Sequence, residues 1–186
     1  SEVIIGNAGR LSEEKGQLML VDLAANLKKK GYKFKILIAG KGKLKSRINK
    51  YARYMGVENE IKLIGFLNNI RDLTSVIDIF VLTSLYEGFG YVLVEAMAEE
   101  KPVVAYDINS SAEIIEEGKT GFLAEKGNVE HLAGKVETLI QNKKLRERMG
   151  QAGRKRVEKV FTFEESMEKV QELICKEMQN QPIKVV

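Results

Sequence analysis

The sequence has a single cysteine, no apolar run approaching 18 residues, no internal repeat and no low-complexity linker. The one thiol, Cys175, excludes an internal disulfide and fits a reducing compartment. The lack of a long apolar run argues against a membrane span. The opening SEVIIGNAGRL lacks the basic segment and apolar core of a signal peptide. It starts directly in a strand-like run, as a fragment or a domain cut from a longer chain would. A large excess of one charge is also missing. The net charge of +4 does not call for nucleic acid, but it suits a small anionic ligand.

With 186 residues, 44% apolar and 30% charged, the chain has the composition of a soluble globular protein of one large or two small domains. Strand-like and helix-like stretches alternate. EVIIGNAG, YKFKILIAG, EIKLIGF, IDIFVLTS, KPVVAYD and GFLAE read as six strands, mostly short and apolar. Between them SEEKGQLMLVDLAANLKKKG predicts a helix with Ser12 as N-cap, Leu20, Leu23, Ala24 and Leu27 as its apolar face, and Gly31 as its stop. KLKSRINKYARYMG, NNIRDLTSV, the stretch from about Tyr91, and SSAEIIEEG predict further helices. Helices are also expected over about Val129–Gln141, Lys143–Lys159 and Phe163–Met178, the last with Met167, Val170, Ile174 and Met178 on one stripe. A tail, 180–186, lacks periodicity. The expectation is one α/β domain over 1–179, a doubly wound, Rossmann-like six-stranded parallel sheet with helices on both faces.

In such a sheet of order 3-2-1-4-5-6, ligands bind beyond the carboxyl ends of strands 1 and 4, where the order reverses. The loops that meet there are NAGRLSEEKG and SLYEGFG. The first offers Gly9, Arg10 and Lys15, a paired hydrogen-bond donor and a compact cation for phosphate. The second offers Glu87, Gly88 and Gly90, followed by a helix N-terminus near Tyr91 that presents free N–H groups to an anion. Glu95 stands in the apolar run YVLVEAMA, so it is expected to be buried and to need partners, which two ribose hydroxyls would supply. Glu87 beside a phosphate would accept from sugar hydroxyls. On the residues alone, plainer readings stay open: a loop acid for Glu87, a salt bridge for Glu95, a sheet-edge cap for Arg10, surface charge for Lys15 and turns for Gly40 and Gly42. GKT at Gly118–Thr120 lacks the glycine a P-loop needs, and GKGKLK and GFGYVL lack the third glycine of a dinucleotide fingerprint.

GRLSEEKG, TSLYEGFGYVLVEAMAEEKPVVA and AEIIEEGKTGFLAEKGNVEHLA together resemble the C-terminal domain of retaining GT-B-fold glycosyltransferases, the "glycosyl transferases group 1" family. The resemblance covers essentially the whole chain. It implies the donor-binding half of an enzyme that moves a sugar from a nucleoside diphosphate sugar, a UDP- or GDP-sugar, to a glycan, lipid or small-molecule acceptor. Arg10 and Lys15 would bind the diphosphate and stabilise the leaving nucleotide in place of a metal, so no cofactor is expected. Glu87 would hold the donor sugar, the backbone of Phe89, Gly90, Tyr91 and Val92 would contact sugar and phosphates, and Glu95 would hold the ribose. The base would lie around Gly40–Gly42 and Phe66–Leu67. The acceptor-binding N-terminal domain is expected to be absent from this chain, which alone would bind nucleotide weakly and transfer nothing. The expected location is the cytoplasm, free or peripheral to a membrane through that missing domain. His131 does not match the histidine such enzymes carry near the donor sugar. The chain also departs from the family's pattern at Glu100 and at Ser110–Ser111, where the pattern carries glycines. A GT-B epimerase, a sugar phosphorylase or a non-catalytic nucleotide-sugar-binding module are the alternatives.

Overall fold

The computed structural model describes residues 2–162. They form a six-stranded sheet of order β3-β2-β1-β4-β5-β6, with β1 Val3–Ala8, β2 Phe34–Ala39, β3 Ile61–Gly65, β4 Ile79–Leu82, β5 Val103–Tyr106 and β6 Gly121–Ala124. Every pairing is parallel, as the alternation of strands and helices predicts. The helices are α1 Leu18–Lys29, α2 Lys45–Tyr54, α3 Arg71–Thr74, α4 Tyr91–Ala98, α5 Asn109–Ile114, α6 Val129–Gln141 and α7 Lys143–Val160. None of them is long and apolar enough to cross a membrane. The predicted helix over Phe163–Met178, its Met167 stripe, Cys175 and the tail lie outside the described residues.

The apolar strands are buried on both sides because their side chains alternate between two cores. Ile79 and Val81 of β4, with Val104 and Tyr106 of β5, join the layer under α1, α2 and α6. Phe80 and Leu82, with Val103 and Ala105, join the layer that holds Leu73, Leu93, Ala96, Met97 and Ile114. Against that second layer α7 packs through glycines. A Cβ on Gly150 would lie 1.9 Å from the Glu100 carbonyl oxygen, and one on Gly153 would lie 3.4 Å from Met97.

One helix differs from expectation. SEEKGQLML is not a continuous helix capped by Ser12. Glu13–Lys15 form a single 3-10 turn, Gly16 takes a left-handed φ of 63°, and α1 starts only at Leu18. Ser12 makes no capping bond. The reason is tertiary. Gly16 is pressed against β4, where a Cβ would stand 2.2 Å from the Thr83 carbonyl oxygen. A regular helix through this point would run into the sheet end.

Candidate functional site

The order reverses between β1 and β4, which are neighbours in the sheet but head its two opposite halves, β1-β2-β3 and β4-β5-β6. The loops that leave these strands are laced together. Leu85 N–H donates to the Glu14 carbonyl at 2.8 Å, and the Thr83 hydroxyl donates to the Lys15 carbonyl at 3.1 Å. Lys15 Nζ meets Glu87 Oε2 at 2.5 Å, and Ser84 Oγ donates to the same carboxylate oxygen at 3.1 Å. Within the β1 loop, the buried amide of Gln17 donates to the Arg10 carbonyl at 2.7 Å and accepts from Ser12 N–H at 3.3 Å. On the other flank, Gly9 N–H and Leu11 N–H donate to the Ala39 and Lys41 carbonyls. The segment that carries Arg10 is thus held from both sides.

Beside it lies a cleft of about 440 Å³. Gly9, Arg10 and Gly40 line it from the β1 and β2 ends, Phe66 and Leu67 from the loop after β3, and Val92 and Glu95 from α4. Seven residues proposed from sequence therefore converge on one concavity. Gly40, at φ 146°, approaches the Gly9 carbonyl so closely that a Cβ would lie 1.9 Å from its oxygen. Phe66 presents an exposed ring, with Lys41 Nζ 5.5 Å from its centroid. Sequence reasoning missed Ala8, Ala39, Lys41, Asn68 and Ile70, which complete the lining. Lys41 had a legible signal, since it stands between the glycines of GKG.

Glu95 corrects an expectation. It is exposed in the cleft, not buried. At 100° per residue, the core-facing stripe of α4 is Leu93, Ala96 and Met97, and Glu95 falls on the open side. Its carboxylate makes no hydrogen bond or ion pair with the described residues, and partial desolvation raises its pKa. A carboxylate desolvated and unpaired at a cleft is available to accept from a ligand's hydroxyls.

The remaining candidates fall around this cleft. Gly90 precedes α4 at φ 95°, in the left-handed region, with no side-chain cap on the helix. The first-turn N–H groups of α4 are left free of capping side chains, the arrangement that favours an anion. Phe89 turns its ring onto Tyr91 at 4.8 Å and Phe161 at 5.9 Å, and lies outside the lining of the cleft. Gly42 sits off the cleft, where a Cβ would stand 2.2 Å from the Leu11 carbonyl oxygen, so its role is close packing. Lys15, Glu87 and Gly88 lie outside the lining of the cleft, and Glu87 and Gly88 line a separate hollow.

The pattern of the family described as "Glycosyl transferases group 1" matches residues 1–156. Over 160 residues the chain is 33% identical to the capsular polysaccharide biosynthesis glycosyltransferase CapM of Staphylococcus aureus, covering 86% of this chain and 42% of that protein. A crystal structure of a mutant of S. aureus TarM in complex with fondaparinux, alpha-GlcNAc-glycerol and UDP superposes with a TM-score of 0.87 at 30% identity, over 91% of this chain and 35% of that one. The C-terminal domain of a glycosyl transferase group 1 family protein, LpcC from Francisella tularensis, superposes with a TM-score of 0.79 at 28% identity, over 87% of each chain. The chain spans less than half the length of these curated relatives.

Proposed function

The chain belongs to the glycosyl transferases group 1 family, and from that premise we propose that it is the donor-binding half of a retaining enzyme that transfers a sugar from a nucleoside diphosphate sugar. The observation that carries this reading is the shared cleft of Arg10 and Glu95, contributed by opposite halves of the sheet at the point where the strand order reverses. A nucleotide laid there would place its base toward the Phe66 ring and its ribose hydroxyls on the Glu95 carboxylate. Its diphosphate would lie between the Arg10 guanidinium and the N-terminus of α4. The sugar would then reach the loop of Glu87.

When the bond from the anomeric carbon to the diphosphate breaks, its electron pair goes to the phosphate oxygen. Arg10, Lys15 and the free N–H groups of α4 are the groups that meet this charge, and the backbone N–H groups, already in place, lower the barrier because they need no reorganisation. Lys15 reaches the phosphate only by sharing or leaving its bond to Glu87, so donor binding and that ion pair are coupled. In this reading the cations of the chain do the charge neutralisation, and donor binding is expected to survive a chelator. UDP in the TarM complex supports a uridine nucleotide as the first donor base to try. The acceptor would be a glycan, a lipid or a small molecule, and the remaining length of the enzyme would hold most of it.

The test is a thermal-shift and calorimetric screen of the chain against UDP, GDP and their sugars. A ligand at 100 times its dissociation constant stabilises by about 2.7 kcal/mol. Binding of a nucleoside diphosphate that is weakened in Arg10→Ala supports the reading. A chain that binds none of them would overturn it. Retention is read from the anomer formed by the longer enzyme.

A further inference from the structure

A second hollow, about 480 Å³, shares no lining residue with the Arg10–Glu95 cleft. Three loops build it. The β4–α4 loop supplies Tyr86 and Glu87, the β5–α5 region supplies Asp107, Asn109, Ser110 and Glu113, and Lys126 follows β6. Apart from Glu87, its charged and amide side chains lack partners among the described residues. The side chains of Asp107, Asn109, Glu113 and Lys126 form no hydrogen bond or ion pair among the described residues. Ser110 is only 6% exposed, yet its Oγ has no hydrogen-bond partner among the described residues. Such a buried hydroxyl is unfavourable unless something completes it. Tyr86 in the same lining is 75% exposed, and its ring stacks on no other ring among the described residues.

An exposed aromatic face beside planar carboxylate and amide groups matches a pyranose, which offers an apolar C–H face and a rim of hydroxyls. The charges narrow the class. Asp107 and Glu113 share the lining with Lys126, and Glu87 already has Lys15, so the hollow carries a carboxylate in excess and disfavours a phosphate or a uronate. The transferred sugar stays tethered to a diphosphate in the other cleft, whereas most of these groups come from elements beyond Glu87. We propose that this hollow is a subsite for a neutral or amino-bearing sugar unit of the acceptor, set against the donor sugar with Glu87 as the shared wall. The proposal rests on the glycosyltransferase reading above.

Amide chemical shifts of the labelled chain, titrated with UDP and with the methyl glycosides of glucose, glucosamine and glucuronic acid, test it. The glucose and glucosamine glycosides are expected to shift Tyr86–Gly88 and Asp107–Glu113 in the presence of saturating UDP, with the glucosaminide tighter than the glucoside and the glucuronide weakest. Tyr86→Ala should weaken the glycosides about fivefold or more and leave UDP affinity within about twofold. Ser110→Ala, which removes only the unpartnered hydroxyl, should weaken them without lowering the melting temperature. The proposal is overturned if the glycosides give no saturable shift while UDP binds, if they compete with UDP at Gly9–Arg10 and Glu95, or if the glucuronide binds best. If UDP itself fails to bind, the transferase reading falls and the acceptor assignment falls with it.

Discussion

Lys15 Nζ and Glu87 Oε2 stand 2.5 Å apart, although 72 residues separate them in the chain. The pair joins the cation expected at the diphosphate to the carboxylate expected at the sugar, so each modulates the other. Lys15→Met should weaken UDP binding by about tenfold, the loss of one charge-assisted hydrogen bond. Glu87→Gln should tighten UDP by about threefold, because the ammonium is released from a competing carboxylate. Calorimetry on the two variants decides the matter. Unchanged affinity in both would remove Lys15 from the diphosphate site.

Arg10 is held through its backbone by Gln17 and by the β2 loop, while its side chain lines the cleft. Arg10→Ala in the longer enzyme is expected to lower turnover on the order of 10²–10³-fold, with a smaller effect on donor KM. Steady-state kinetics at saturating donor give the answer, and unchanged turnover would contradict the role.

The raised pKa of Glu95 fixes a sign. Desolvation penalises its ionised form in the folded state. Its stabilising contribution is therefore complete below the ordinary carboxyl value of 4.5 and is lost as pH rises through the raised value. Glu95→Gln should consequently melt at or above the parent at neutral pH, with the difference shrinking toward pH 4.5. The same variant should bind UDP more weakly, having lost the better acceptor for ribose hydroxyls. Melting curves across this range, with and without UDP, separate the two effects. A variant destabilised at neutral pH would show that Glu95 has a structural partner.

Glu100 is the sole non-glycine residue with positive φ among those described, at 56°. It follows α4, and its carbonyl receives the close approach of Gly150. An L side chain in this conformation costs about 1 kcal/mol relative to glycine. Glu100→Gly is expected to raise the melting temperature by roughly 2–4 °C, since its one surface ion pair, to Arg154 at 3.6 Å, contributes little. A lowered melting temperature would mean that this ion pair outweighs the backbone strain.

The doubly covered parallel sheet was legible because runs such as IFVL and VVAY are apolar at every position, which a sheet covered on both faces requires. The cleft was legible because Arg10, Gly40, Phe66 and Glu95 all fall just past strand ends. What failed were statements that depend on facing. Glu95 looked buried because its neighbours are apolar, yet only 93, 96 and 97 of α4 are fully buried. Ser12 looked like a cap because nothing in the local sequence reveals the Thr83 carbonyl that presses on Gly16. The hollow around Tyr86 and Ser110 needs three loops brought together, and no linear spacing encodes that.

The lacing at the β1–β4 seam also bears on how the molecule folds. The bonds Glu14–Leu85, Lys15–Thr83 and Lys15–Glu87 each close a loop of some 70 residues, so they add to contact order and form late, after the local βα units. A ligand that touches both Arg10 and Glu95 spans the same seam. It acts as a non-covalent staple between the two halves of the chain, so its binding should protect the amides of β1 and β4 from hydrogen exchange above those of the outer strands.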